Sequence, residues 1–493
     1  MGGHERTRTV GELPSPTEER SRAPAVLTRV VWLLWVVSLG ALVTHLSGGG
    51  PWKLPGVVVD GLTVVMWVTV TFFSGIVHSY SRRYMAGNGR VDRFFGRMFG
   101  FTLAVSVLVA ADSFALFGAA WVAMGLLMAD LIGHRREWPQ ARAAASLARR
   151  YFLAGGGLLA LALATLWWQT GTTTVSGLAS NVGGASPVVL FAAGALLVVA
   201  MVQSALVPFH GWLLSSMTAP TPASALMHAG FVNAGGVLLV RFAPVVTVDP
   251  GFMLLVVLVG AASALLGKAL KSVRTDVKGK LACSTVGQMG FMIMQAGLGF
   301  FAAAVAHLIL HGFYKAYQFL SSGSRVSHEN PERPESTGSA GPVGVVVTVA
   351  TALAGGGLFA VLTGKGTSLD TGVLLAGLVV LTVLHATREV VSRVALPATV
   401  RYGAVPLVAL PAIALYAGVY GVVEGLFANL PAVGQSVELT VVHALVAVAF
   451  VAAYLAIESG VYRHSQRLYV ALLNAGQPPS GTLLTATEEY DEH

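Results

Sequence analysis

Three ionisable side chains spaced four residues apart mark the stretch AVAHLILHGFYKAYQFL: His307, His311 and Lys315. In a helix this spacing places all three on one face, about 6 Å apart along the axis. Two imidazoles and an amine in file can pass a proton along, because histidine titrates near neutrality and a lysine in apolar surroundings gives up its proton more readily. The spacing therefore predicts a proton path.

Two other interpretations of this file are open from the sequence. The side chains can join helices through hydrogen bonds, or Lys315 can extend its amine to the membrane surface. Histidines four apart can also ligate haem or a metal, but one helix face rarely supplies a full coordination set, and no second His-x3-His pair occurs. We therefore expect no metal and no other cofactor.

Prolines interrupt a second polar stretch, MVQSALVPFHGWLLSSMTAPTPASALMHAGFVNAGG. A helix broken by proline leaves backbone donors and carbonyls free, which a membrane tolerates only where protein or water meets them. The alternative is a kink that only shapes packing. The predicted broken-helix site consists of Gln203, Pro208, His210, Pro220 and Pro222.

The predicted ion pathway has two further members, His228 in the proline-rich stretch and Lys268 in ALLGKALKSVRTD. Lys268 lies near the end of an apolar run, so it either faces the helix bundle or extends to the membrane surface. Asp112 is expected at a turn, where a capping role competes with a transport role. Six other ionisable side chains are expected to be satisfied structural groups: Asp60, His78, Asp130, His385, Glu424 and His443.

The elements that position these residues must lie in a membrane. Of the 493 residues, 55% are hydrophobic and only 11% are charged, whereas soluble domains carry roughly a quarter charged residues. This composition excludes a soluble enzyme. A membrane helix needs about 20 mostly apolar residues, which predicts about 14 spans, at 25–46, 57–79, 98–111, 114–133, 151–169, 187–213, 224–243, 251–272, 281–299, 300–320, 342–363, 371–393, 404–428 and 440–458.

Basic residues predict the orientation of these spans. The formal net charge is +8, and most arginines and lysines fall in alternate loops, near 82–97, 135–150, 274–280, 325–333, 388–401 and 463–467. The positive-inside rule then places both termini in the cytoplasm. We expect a cytoplasmic tail over residues 1–24, one transmembrane domain over 25–460 and a second cytoplasmic tail over 461–493, in the plasma membrane.

Several stretches together resemble the antiporter-like family that includes the large membrane subunits of respiratory complex I and the Mrp antiporters. They are DGLTVVMWVTVTFFSGIVHSYSRRYM, SALVPFHGWLLSSMTAPTPASALMHAG, RTDVKGKLACSTVGQMGFM and HLILHGFYKAYQFL, in the family's order. The resemblance implies an all-α, polytopic bundle of two inverted repeats with broken helices and a central polar axis. It also implies that His307, His311 and Lys315 match the family's relay.

Two positions depart from the family pattern. The family usually has a glutamate directly after a tryptophan in an early span, where this chain has Val122 after Trp121. It usually has a lysine ahead of the Ser-Ala of the broken helix, where this chain has Gln203. The Glu–Lys pair that modulates proton movement in the first half-channel of the family is therefore missing.

A narrower resemblance fits these departures. The stretches MHAGFVNAGGVLLVRFAP and RLYVALLNAGQPPSGTLLT look like the DabB membrane subunits of two-component inorganic carbon pumps. This implies a cation-conducting subunit, with the proton as first choice over sodium, and a cytoplasmic DabA-like zinc partner. Any CO2 hydration would lie in that partner, so this chain is not expected to be an enzyme or to bind nucleic acid.

Two alternative functions follow from the same residues. The chain can be an ion-translocating subunit of a complex I-like or Mrp-type Na+/H+ antiporter assembly, without carbon chemistry. It can also be a membrane anchor that has lost conduction, which the missing Glu–Lys pair suggests. The retained file of His307, His311 and Lys315 argues against the anchor.

Overall fold

The computed structural model describes residues 21–325, 341–391, 397, 399–434 and 437–483. The tail up to residue 20, the loop residues 326–340 and the acidic end from residue 484 lie outside these ranges. The expectations about these residues, including most of the N-terminal tail, therefore stay predictions.

Six helices and one β-hairpin form the first part of the chain. The strands β1 and β2 pair antiparallel, with Lys53 opposite Val58. The bounds are α1 Ala23–Leu46, β1 Trp52–Leu54, β2 Val57–Val59, α2 Gly61–Tyr84, α3 Val91–Ala110, α4 Phe114–Ile132, α5 Pro139–Thr170 and α6 Val175–Asn181.

The middle of the chain consists mostly of short helical segments. A long helix ends at Gln203 and is followed by two short turns before the next helix begins at Thr221. The bounds are α7 Pro187–Gln203, α8 Gly211–Ser215, α9 Thr221–Ala229, α10 Ala234–Arg241 and α11 Ala243–Val246.

Long helices return in the last part of the chain. The bounds are α12 Pro250–Val273, α13 Val277–Gly297, α14 Phe301–Leu320, α15 Gly341–Thr363, α16 Thr371–Val391, α17 Val405–Leu426, α18 Val441–Glu458, α19 Val461–His464 and α20 Gln466–Ala475. Side-chain caps begin several of them: Asp249 accepts from the Phe252 backbone N–H of α12, and Asp276 accepts from the Gly279 backbone N–H of α13.

Ten helices among the described residues are long and apolar enough to cross a membrane, and two more apolar helices are shorter. The all-α, polytopic class is therefore confirmed. Each of the fourteen predicted spans contains a helix, but the count of fourteen stays a prediction. Helices α13 and α14 have 21 and 20 residues, and the polar side chains that they carry make them less apolar than the ten.

The buried core surrounds α2 and the pair α9–α10. In the apolar window of the span Thr221–Arg241, 94% of the residues are buried, against 17% in the apolar window of α1. Because α9 and α10 are so enclosed, the polar groups that they carry depend on protein partners rather than on lipid or bulk water.

Glycines set the close packing of α12 on α13. A Cβ added at Gly260 would stand 2.4 Å from the Met294 nitrogen, and one added at Gly267 would stand 2.2 Å from the Gly287 nitrogen. Small residues let helices approach this closely in lipid, where packing rather than the hydrophobic effect drives association.

A buried ion pair joins α2 to α10 on the side of the bundle that holds the hairpin. The Arg241 guanidinium donates to both carboxylate oxygens of Asp60 and, at 2.6 Å, to the Thr63 hydroxyl. Asp60 also accepts from the Thr63 backbone N–H at 2.9 Å, which caps α2. Asp60 is thus a satisfied structural group, as the sequence suggested.

Loss of Arg241 alone is expected to destabilise the protein strongly. Arg241→Met leaves the Asp60 carboxylate buried without its counter-charge, which costs about 3–5 kcal/mol. The double variant Asp60→Asn/Arg241→Met keeps a capping side chain and removes both charges, so it should recover most of the loss. Thermal unfolding in detergent measures the stability of both variants. If Arg241→Met is as stable as the wild type, the prediction is contradicted.

The loop between α4 and α5 holds a buried imidazole at His134. This ring is 2% exposed and packs edge-on against Phe94, with ring centroids 4.9 Å apart. Burial, with the nearby Arg97 and Arg90, lowers the pKa of His134 from 6.5 to about 4. Between pH 6.5 and about 4, this ring is therefore neutral in the folded protein and protonated in the unfolded chain.

The stability due to His134 is present above pH 6.5 and is lost as the pH falls toward 4, because the unfolded state then binds the extra proton. The loss amounts to about 3 kcal/mol over this window. Thermal midpoints of His134→Leu should consequently fall less steeply between these pH values than those of the wild type. His464→Leu, which removes an exposed imidazole, is the control and should follow the wild type.

Candidate ion pathway in the membrane

Helix α14 presents His307, His311 and Lys315 along one face, as the spacing predicted. The imidazoles of His307 and His311 lie with ring centroids 6.0 Å apart. Lys315 is 0% exposed, and its amine donates to the Leu281 carbonyl of α13 at 2.9 Å. Lys315 thus points into the bundle and does not extend to the membrane surface.

His311 is the least satisfied member of the file. It is 5% exposed, and neither ring nitrogen has a hydrogen-bond partner among the described residues. A buried imidazole of this kind can accept or release a proton without first breaking a protein hydrogen bond. That property suits an intermediate carrier better than a structural link.

His228 of α9 joins the Lys315 end of this file through Thr285. The Thr285 hydroxyl donates to the Leu281 carbonyl at 2.9 Å, which is the carbonyl that also accepts from Lys315. His228 Nδ1 lies 2.9 Å from the same hydroxyl, and it is the donor when the hydroxyl proton points to the Leu281 carbonyl. His228 and Lys315 therefore share one hydrogen-bonded group.

Nothing in the sequence singled out Thr285. A threonine in an apolar run is common, and threonine usually bonds the carbonyl four residues earlier, as Thr285 does. Its importance comes from the approach of His228, 57 residues earlier in the chain. Phe319 holds the His228 ring in place by stacking on it, with centroids 4.4 Å apart.

Lys268 lies on α12, apart from the file of His307, His311 and Lys315. Its amine is 2.6 Å from His385 Nε2 of α16, and both residues line a cavity of about 220 Å³ bounded by α12, α13, α16 and α18. Phe291 lines the same cavity and packs on His307 with ring centroids 5.4 Å apart. The structure thus places Lys268 beside the pathway and pairs it with His385, a residue that the sequence alone did not connect to it.

Two interruptions, after Gln203 and at Gly230, form the broken-helix site. The break at Gly230 separates α9 from α10, and the side chains that end α7 meet the carbonyls beside it. Gln203 donates to the Phe231 carbonyl at 3.4 Å, and Ser204 donates to the Val232 carbonyl at 2.7 Å. Polar groups at one break therefore satisfy backbone groups of the other.

The predicted prolines have different positions in this site. Pro208 lies between α7 and α8, within the first interruption. Pro220 and Pro222 stand at the start of α9, as its N-cap and in its first turn, where proline is compatible with a helix. Pro220 and Pro222 thus lie where the first interruption ends, and a second break, which no proline marks, lies at Gly230.

His210 contacts the C-terminal segment rather than the file. Its Nε2 lies 3.1 Å from the Ala475 carbonyl at the end of α20. The Ser215 and Thr482 hydroxyls are 2.9 Å apart, and Arg274 donates to the Gly476 carbonyl at 3.2 Å. The segment from α20 to Thr482 thus lies against the first interruption, which links residues about 265 apart in sequence.

Comparison with known proteins identifies the family of this chain. Residues 111–387 match the family described as NADH:quinone oxidoreductase/Mrp antiporter, TM, and residues 55–95 match the complex I chain 5 N-terminus. The chain belongs to this antiporter-like membrane family. The resemblance seen in the sequence is confirmed.

Curated relatives carry two kinds of name. The probable inorganic carbon transporter subunit DabB1 of Halothiobacillus neapolitanus is 40% identical over 280 residues, which cover 55% of this chain and 50% of the relative. The NADH-quinone oxidoreductase subunit L of Mycobacterium tuberculosis is 37% identical over 285 residues, covering 57% and 45%. The chain spans about half the length of these relatives.

Solved structures share the fold. The Mrp complex from a Dietzia species aligns with a TM-score of 0.56 at 24% identity, over 92% of this chain and 49% of that one. The archaeal membrane-bound sulfane sulfur reductase aligns with a TM-score of 0.59 at 17% identity, over 93% and 92%. These likenesses concern the fold alone.

Removal of the Thr285 hydroxyl is expected to slow ion movement while the protein still folds. Thr285→Val keeps the shape but separates His228 from the Leu281 carbonyl, and a lost buried hydrogen bond of about 1.4 kcal/mol corresponds to about tenfold. Thr285→Ser keeps the hydroxyl and is the matched control. Proton uptake by liposomes that contain each variant makes the comparison; equal rates would show that the hydroxyl has no role.

Proposed function

We propose that this chain is the cation-conducting membrane subunit of an energy-coupled inorganic carbon accumulation complex, with the proton as the ion. The observation that carries the proposal is Lys315, an amine buried at 0% exposure in α14 and shared through the Leu281 carbonyl with His228. An ionisable side chain inside a membrane-spanning bundle costs free energy, and such side chains mark the pathways of ions and protons.

Several features support the carbon-accumulation part of the proposal. DabB-named relatives from several bacteria are 34–40% identical to this chain. The partner would be a cytoplasmic DabA-like zinc protein that carries the CO2 chemistry, while the chain itself lies in the plasma membrane with both termini in the cytoplasm.

The energy available from one proton suits this coupling. A proton that moves down 100 mV releases about 2.3 kcal/mol, which can bias a hydration equilibrium about fifty-fold if coupling is tight. The proposed pathway runs over His228, Lys315, His311 and His307, and Lys268 with His385 forms a branch beside it. The first half of the bundle carries Gln203 and Val122 in place of an ionisable pair, so we assign conduction to the second half.

A second candidate function is an ion-translocating subunit of a complex I-like or Mrp-type assembly. The 37% identity to the subunit L of Mycobacterium tuberculosis and the retained His–His–Lys file favour it. The missing Glu–Lys pair of the first half counts against it. In this alternative the ion moves without carbon chemistry.

Growth in ordinary air tests the proposal. A bacterium without carbonic anhydrase would express this chain together with a DabA-like soluble protein, and the pair should restore growth where either chain alone does not. An uncoupler should abolish the rescue. If the complex purifies intact and does not restore growth, the antiporter function is favoured and sodium and proton fluxes decide it.

Lys315→Ala should abolish this rescue and leave the complex assembled, because the variant removes the buried amine between His311 and the Leu281 carbonyl. Lys280→Ala is the control, since Lys280 is exposed at the start of α13. Co-purification of the partner measures assembly. Normal growth with Lys315→Ala would overturn the relay.

A further inference from the structure

Polar side chains continue beyond His307 toward the hairpin side of the bundle. On α13, Gln295 lies one turn after Phe291, the residue that packs on His307. Gln295 is 0% exposed, and its amide donates to the Tyr416 hydroxyl of α17 at 3.2 Å. Its amide oxygen is buried without a hydrogen-bond partner among the described residues.

Helix α17 carries three hydrogen-bonding side chains at a spacing of four: Tyr416, Tyr420 and Glu424. This spacing places them on one face and covers about 12 Å of the helix axis. The Tyr420 hydroxyl donates to Glu424 Oε1 at 2.9 Å. Phe359 of α15 packs against both tyrosine rings, with centroids 5.7 Å from Tyr416 and 6.4 Å from Tyr420.

The file ends at an accessible ion pair. Glu424 Oε1 lies 3.1 Å from the Lys365 amine, and the two side chains are 42% and 25% exposed. Lys365 follows α15 in the loop before α16, on the same side as the hairpin. Tyr420, by contrast, is 1% exposed. The polar groups therefore lead from the buried centre to the surface opposite the arginine-rich loops.

We propose that Gln295, Tyr416, Tyr420, Glu424 and Lys365 form the outward half of the proton path, and we name this group the α17 ladder. The inference rests on the proposed function, because it continues the file of Lys315, His311 and His307. It assigns the position where protons exchange with the compartment on the hairpin side to the Glu424–Lys365 pair.

The chemistry of these groups suits a proton. A tyrosine hydroxyl both donates and accepts, so it can take up one proton as it releases another and return to its starting state. The step from Tyr416 to Tyr420 is one helical turn of about 6 Å, a gap that one water molecule can bridge. A proton that Glu424 takes up from the solvent neutralises its carboxylate. Transfer of that proton to the Tyr420 hydroxyl, which passes its own proton on toward Tyr416, restores the pair of Glu424 with Lys365.

A purely structural role explains less of the arrangement. One ion pair is enough to hold α17 to the loop after α15, and it needs neither the buried tyrosines nor Gln295. Burying a hydroxyl and an amide costs free energy unless they are hydrogen-bonded. The Gln295 amide oxygen is buried without a hydrogen-bond partner among the described residues, a cost that a purely structural bond between Gln295 and Tyr416 does not explain.

The test uses the full-length chain, reconstituted into liposomes with its co-expressed soluble partner, an imposed membrane potential and a trapped pH-sensitive dye. Tyr420→Phe removes one hydroxyl and keeps the ring that packs on Phe359, and Glu424→Gln removes the titratable group at the surface. We expect proton uptake to slow at least tenfold in both. For Glu424→Gln, the dependence of the rate on the pH of the hairpin-side compartment should also flatten.

Tyr317→Phe is the matched control, because Tyr317 lies on α14 itself with 66% of its surface exposed. It should conduct within twofold of the wild type, and thermal midpoints should show that all variants are folded. If Lys315→Ala stops uptake but Tyr420→Phe and Glu424→Gln conduct like the wild type, the α17 ladder is overturned and the proposed function stands. If the wild type itself does not exceed empty liposomes, the proposed function fails, and the ladder with it.

Discussion

The cost of placing an amine inside a helix bundle governs the second half of this structure. Lys315 is fully buried, and its amine reaches the carbonyl of Leu281 across the interface between α13 and α14. A carbonyl inside a helix already accepts a hydrogen bond from the backbone N–H four residues later. Its second lone pair is therefore the one that can accept from the Lys315 amine. The same Leu281 carbonyl oxygen also accepts a hydrogen bond from the Thr285 hydroxyl, and the oxygen of that hydroxyl contacts His228 Nδ1. One backbone oxygen therefore fixes the relative positions of three helices, α9, α13 and α14.

The two halves of the bundle meet the same membrane constraint in different ways. In the first half, neutral groups satisfy the broken backbone: Gln203 and Ser204 donate to carbonyls beside Gly230. In the second half, ionisable side chains carry the polarity, with His307 and His311 before Lys315. An amide that holds backbone in place does not exchange protons near neutrality, whereas an imidazole does. This difference is why conduction is assigned to the second half.

The periphery of the bundle has the opposite character. Most residues in the apolar windows of α1 and of the span Tyr402–Leu426 are not buried within the protein. Even so, the face of α17 that carries Tyr416 and Tyr420 turns inward against Phe359. A helix with a lipid-facing side and a hydrogen-bonding inner side can serve a path without being central to the core.

The sequence by itself determined what depends on composition and on spacing within one helix. Low charge and long apolar runs required membrane helices, and the spacing of four placed His307, His311 and Lys315 on one face. Four motifs pointed to the family, which the comparisons bear out. Asp60 was correctly expected to be structural, because an isolated ionisable residue usually finds a partner.

Tertiary structure alone decided which residues meet across helices. Thr285 stands between His228 and Leu281, Lys268 pairs with His385, and Glu424 pairs with Lys365 and Tyr420. The pairings His228–Thr285, Lys268–His385 and Glu424–Lys365 do not follow from local periodicity, since the partners lie on different helices or loops. Tyr420 and Glu424, by contrast, lie one turn apart on α17. The break at Gly230 did not follow from the sequence either, because no proline marks it. Pro220 and Pro222 stand at the start of α9, a position that proline readily occupies. Helix packing sets these contacts, and a single sequence does not encode it in any local pattern.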